Sequence, residues 1–218
     1  MMQHALKLVI FDWDGTLFNS VGQIVASLKF AAQQFEQPLT DEAARSIIGL
    51  GLPEVAQQLF PQVPHLHAQI LQCYSDHYVE NASHDVWFDG VTEMLHDLKQ
   101  HDVLLAVATG KSRKGLNRVL AQTNSTHLFA ATRAASETKS KPNPLMLTEI
   151  LQQTQIDVKN AMMVGDTSYD LHMAQQLNMR RVGVTFGVHD IATLTQFQPV
   201  ALVGEIQQLH QFLLQQLS

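Results

Sequence analysis

Cysteine is nearly absent. Cys73 stands alone among 218 residues, which excludes a disulfide framework and a zinc ribbon. Charge is scarce as well, at 16% of residues against about 25% in an ordinary globular protein. What charge there is does not favour the basic side. Lys and Arg number 14 against 20 Asp and Glu, for a net −6, so the basic footprint of a nucleic-acid binder is missing. No apolar run approaches the ~18 residues of a membrane span. The first such run, residues 8–11, stops at Asp12 rather than continuing as a secretory leader would. These absences leave a soluble protein, expected in the cytoplasm, with neither nucleic acid nor membrane as partner. Polarity comes instead from 24 Gln and 11 His. The length suits one large domain, or one carrying an insertion, and such a chain buries about 70% of its unfolded surface without cross-links.

Two rhythms divide the chain. Residues 6–11 are apolar and rich in strand formers, and they break at Asp12-Trp13-Asp14-Gly15. That pattern predicts a buried strand ending in a polar loop. From residue 21 to about 83 apolar residues recur at helical spacing, with Ile24, Leu28, Ala31, Ala32 and Phe35 as the first set, and Pro and Gly punctuate about four helices. After Phe88-Asp89-Gly90 strands and helices alternate. Strands are expected at residues 103–108, 129–133, 161–164, 181–185 and 200–203, with helices between them and one closing the chain. Alternation of this kind implies parallel βαβ units and an α/β, doubly wound sheet. The change of rhythm sets residues 1–19 and 88–218 apart from an inserted helical block, 20–87. Ligands of such sheets lie beyond the carboxyl ends of the strands, so the polar clusters there should meet.

The first cluster holds two carboxylates, Asp12 and Asp14, just past a strand end. Burying both is costly unless a cation or a shared proton relieves their repulsion. Gly165-Asp166-Thr167-Ser168-Tyr169-Asp170 adds two more acids, and four together suit a hard divalent cation such as Mg²⁺. Asp170 could also simply complement a helix N-terminus. Thr109-Gly110-Lys111-Ser112 resembles the tail of a P-loop, but Leu105 stands where that motif needs Gly. What remains is a hydroxyl and backbone amides at a strand-to-helix turn, a natural anion site. In Lys141-Pro142-Asn143-Pro144 two prolines stiffen the stretch, and a cation held there can answer the acids.

Taken in order, Asp12-x-Asp14-Gly-Thr16-Leu17, Thr109, Lys141-Pro-x-Pro and Gly165-Asp166-x-x-x-Asp170 resemble the four motifs of the haloacid dehalogenase superfamily. The wider chain looks most like its phosphoglycolate phosphatase branch. The resemblance implies a Rossmann-like core, residues 1–19 and 88–218, closed by a helical cap domain, 20–87, and a Mg²⁺-dependent phosphatase acting on a small phosphorylated metabolite. By it Asp12 is the nucleophile, Asp14 the acid and base, and Lys141 the cation beside them. Asp12, the Asp14 carbonyl, Asp166 and Asp170 are the expected Mg²⁺ ligands. Thr16, Thr109, Gly110 and Lys111 fall on the substrate side, and Gly49 and Gly51 form the candidate cap turn over it. One departure stands out: many relatives carry Asn where this chain has Gly110.

Asp14 argues against a dehalogenase, whose leaving halide needs no proton. A phosphomutase lacks support because an Arg-Ser cap signature is missing around Gly49-Leu50-Gly51-Leu52. A receiver domain would be about half this length and would carry no helical insertion. A catalytically inactive relative that only binds a phosphorylated ligand stays open. His65 and His67 read as a solvated loop, Cys73 and the pair Met162-Met163 as packing, and Lys111 and Arg113 as either substrate contacts or solvated charges. His189 lies near the site edge with no assigned role.

Overall fold

The structure, a computed structural model, describes residues 5–81 and 87–217. Six strands form one parallel sheet: β1 (Leu8–Phe11), β2 (Leu104–Thr109), β3 (Ala131–Ala134), β4 (Ala161–Gly165), β5 (Arg180–Val184) and β6 (Ala201–Val203). Their order is β3-β2-β1-β4-β5-β6, the doubly wound arrangement expected from the alternation. β1 is buried along its whole length. Its side chains alternate, Val9 and Phe11 entering one core cluster, Leu8 and Ile10 the other, as the two-residue period of a strand requires.

Helices cover both faces. On the Phe11 face pack α5 (Val91–Gln100), α6 (Arg113–Gln122) and α10 (Ile206–Leu214), through Leu95, Leu120 and Leu209 among others. On the Ile10 face pack α7 (Leu145–Thr154) and α8 (Ser168–Gln176), through Ile150 and Met173. Met162 and Met163 divide between the two faces as core residues. A short α9 (Ile191–Thr195), capped by the Asp190 side chain, was not anticipated. Its single turn is too brief to show a helical period.

The segment after β1 forms the expected four helices: α1 (Val21–Gln34), α2 (Asp41–Ser46), α3 (Leu52–Leu59) and α4 (His67–Glu80). They bury their own clusters, one around Leu28, Ile48 and Val55, another around Ala31, Phe60 and Ile70. Cys73 packs at the edge of the second. The chain leaves the core at Phe18 and returns at Trp87, and these two residues pair as an isolated bridge. The two crossings therefore run side by side, next to the first motif.

Candidate active site

Sheet topology brings the motifs together. β1 pairs with β2 on one side and β4 on the other, with Phe11 opposite both Val107 and Val164. The residues that follow these strands meet at the point where the strand order reverses, the usual crevice of such sheets. Asp12 is anchored there by its own N–H, which donates to the Val164 carbonyl at 2.9 Å.

Lys141 is the hub. Its Nζ lies 2.7 Å from Asp12 Oδ1 and 2.6 Å from Asp170 Oδ1, and all three side chains are buried. Burial opposes the charge on Lys141, but Asp12 and Asp170 outweigh it and hold the ammonium above the usual lysine range. Asp170 divides its work between its two oxygens. Oδ2 accepts from the Thr167 hydroxyl at 2.7 Å and the Thr167 N–H at 3.2 Å, closing a capping box on α8, while Oδ1 faces Lys141. The helix-terminus role and the ion-pair role thus coexist.

Asp166 is held just as tightly. Oδ1 accepts from the Thr16 hydroxyl at 2.9 Å and Oδ2 from the Val188 N–H at 2.8 Å. Thr16, expected on the substrate side, gives its hydroxyl proton to Asp166. Val188 was missed altogether. The only hint was Gly187, where a Cβ would lie 2.3 Å from Asp166 Oδ2. Burial, and after it Asp170, pushes the Asp166 carboxyl up to about 7. The Asp12 carboxyl is also raised, by burial first, with Lys141 opposing and Asp170 and Asp166 adding to it.

Carboxylate oxygens of Asp12, Asp166 and Asp170 lie within 4.8 Å of one another. Asp12 Oδ2 is buried without a hydrogen-bond partner. An orphaned, buried carboxylate oxygen is costly by itself, and the mutual repulsion of the three acids is what an oxygen-liganded divalent cation shared among them would relieve. The Asp14 side chain stands apart from this group. Its Oδ1 accepts from the Ser20 hydroxyl at 2.5 Å and lies 2.9 Å from Lys111 Nζ. Lys111 is therefore held against Asp14 in a largely enclosed position; burial opposes its charge, but Asp14, together with Tyr78 and Tyr74, holds the ammonium above the usual lysine range.

Thr109, the last residue of β2, is buried, and its Oγ1 accepts the Lys111 N–H at 3.2 Å. The Gly-Lys-Ser stretch proves to be a helix cap, with Ser112 Oγ accepting the Gly115 N–H at 3.1 Å. Gly49 and Gly51 meet the core. A Cβ on Gly110 would lie 2.5 Å from the carbonyl oxygens of both Gly49 and Leu50, and the Gly51 N–H donates to Ser140 Oγ at 2.8 Å. The Tyr169 hydroxyl donates to the Ser46 carbonyl at 2.8 Å, tying α8 to α2. Arg113, by contrast, pairs with Glu137 and Thr132 away from the acids. His189 is a brace, its Nδ1 accepting the Ser168 N–H at 2.8 Å. His67 contacts the Phe60 carbonyl at 2.8 Å.

A cavity of about 230 Å³ lies between the four-helix segment and the sheet-bearing part of the chain. Asp14, Gly110 and Lys111 form its edge toward the acids, and α1, α3 and α4 supply most of its other wall. Gly49 lines it; Gly51 does not.

This arrangement has relatives. Residues 9–184 match the family model described as haloacid dehalogenase-like hydrolase. The chain belongs to that family, and it is a phosphatase-like hydrolase. It is 32% identical over 204 residues to the "Probable phosphatase IndB" of Dickeya dadantii, covering 90% of this chain and 88% of that one. It is 27% identical to the phosphoglycolate phosphatase of Vibrio cholerae, covering 89% and 91%. A hydrolase from Pseudomonas syringae superimposes with a TM-score of 0.87 at 20% identity, covering 96% and 98%.

Proposed function

We propose that the protein is a Mg²⁺-dependent phosphomonoesterase acting on a small phosphorylated metabolite of the phosphoglycolate kind, through a phosphoryl group carried on Asp12. The observation that carries this reading is the pair of oxygens on Asp12: Oδ1 is held by Lys141, while Oδ2 is buried and unpartnered at the acid cluster. A fixed carboxylate with one free oxygen is what in-line attack on phosphorus requires.

Asp12 attacks the phosphorus, and the bond to the ester oxygen breaks. Asp14, oriented by Ser20 and Lys111, gives its proton to the departing oxygen. In the second half the same carboxylate takes a proton from water, which attacks the phosphoryl group and frees Asp12. Acid–base help of this sort typically contributes 10² to 10⁴-fold. Thr109 has a hydroxyl proton uncommitted among the described residues, and with the Gly110 N–H and Lys141 it faces the charge that develops on the phosphoryl oxygens. Asp12, the Asp14 carbonyl, Asp166 and Asp170 would hold Mg²⁺, which supplies further positive charge against the phosphate. Residues 20–87 act as the cap, and the Gly49–Gly51 turn closes the site against Gly110 and Ser140.

The reading is tested by phosphate release from p-nitrophenyl phosphate, with Mg²⁺ and with a chelator. Release that needs Mg²⁺ supports it. Release unaffected by the chelator, or none from folded protein with Mg²⁺, overturns it.

A further inference from the structure

The cavity between cap and core is lined by neither Asp12, Thr109 nor Lys141. It is therefore room for the alcohol of the substrate, not for the phosphoryl group. At about 30 Å³ per water molecule, its roughly 230 Å³ exceeds what a two-carbon acid such as glycolate fills. Ile24, Leu28, Ile48 and Val55 give it an apolar wall.

One cationic group there has hydrogen-bond donors with no partner. Arg118, on α6, lines the cavity with its guanidinium 5.5 Å from the centre of the Tyr78 ring. Its Nε is buried without a partner, and among the described residues its guanidinium makes no ion pair. Its neighbours differ: Lys111 is paired with Asp14, and Arg113, on the same helix, with Glu137. The cavity's other acid, Asp76, accepts instead from Gln72 at 2.7 Å. A half-buried guanidinium on an aromatic face, with its fork of donors unused, matches a carboxylate or phosphate group.

We infer that the substrate's alcohol is larger than glycolate and carries a second anion, a carboxylate or a phosphate, which Arg118 receives beside Tyr78 while the carbon body packs on the apolar cap wall. This rests on the phosphatase reading above. The experiment compares benzyl phosphates bearing a methyl, a carboxylate or a phosphonate at the para position, together with phosphoglycolate, all with Mg²⁺. In the wild type kcat/KM for one charged ester should exceed that for the methyl ester by roughly ten- to a hundredfold, the range of a charge-assisted hydrogen bond. The preferred anion names the group. In Arg118→Met that ratio should fall toward one, and Arg118→Lys should keep part of it, both variants being checked for folding by their melting temperature. A ratio near one in the wild type, or one unchanged in Arg118→Met, overturns the anion site. Phosphoglycolate outrunning both charged esters overturns the larger alcohol. Phosphate released from none of the four esters would overturn the phosphatase reading itself, and this inference with it.

Discussion

A Cβ on Gly110 would lie 2.5 Å from the Gly49 carbonyl oxygen, closer than real Cβ contacts come. The Gly49-Leu50 backbone occupies the space that a side chain at position 110 would need. Gly110→Asn should therefore impair the enzyme. Overpacking of this kind costs about 1–3 kcal/mol. If it falls on closure, kcat/KM drops roughly ten- to a hundredfold while the melting temperature of the whole protein changes little. Steady-state kinetics beside a thermal melt checks it, and an unimpaired Gly110→Asn would refute the packing explanation.

Lys141 neutralises two buried carboxylates at once. Lys141→Ala leaves Asp12 and Asp170 facing each other without their cation, and removing one member of a buried ion pair typically costs about 3–5 kcal/mol. Urea denaturation without metal should show that loss. Asp12→Asn should cost much less, because Lys141 keeps Asp170. Equal midpoints for Lys141→Ala and the wild type would contradict the bridging role.

His189 makes stability pH-dependent. Burial holds its imidazole below its ordinary value, and the neutral ring accepts the Ser168 N–H. A histidine whose folded value is depressed is protonated more readily when unfolded. Its contribution is therefore complete above the unfolded value of about 6.5 and is lost as pH falls through the folded one. Melting temperatures should decline over that window. His189→Asn, which can still accept a hydrogen bond but does not titrate, should flatten part of the decline. An identical pH profile in the variant would sink the assignment.

The sheet was legible because its strands are short, apolar and separated by helices. Every expected strand is present, with no end moved by more than two residues: the expected 6–11 is observed as Leu8–Phe11, and 129–133 as Ala131–Ala134. The acid cluster was legible for the same reason, since Asp12 and Asp166 each follow a buried strand. What escaped depends on contacts between distant segments. Thr16 has a hydroxyl that could serve phosphate or protein, and only the fold shows it 2.9 Å from Asp166. Val188 acts through a backbone N–H, which no side chain advertises. Arg118 sits on a helix whose other charges, Arg113 and Lys114, are partly or wholly exposed. Nothing along the chain reveals that Tyr78, 40 positions earlier, lies against it.

The central claim is that Asp12 carries the phosphoryl group. Its most direct test is Mg²⁺-dependent turnover of p-nitrophenyl phosphate by Asp12→Asn, beside circular dichroism showing the variant folded. An amide in place of the carboxylate keeps the shape but removes the nucleophile, so turnover should fall by roughly 10³-fold or more. A folded Asp12→Asn protein that turns over substrate at the wild-type rate would contradict the account.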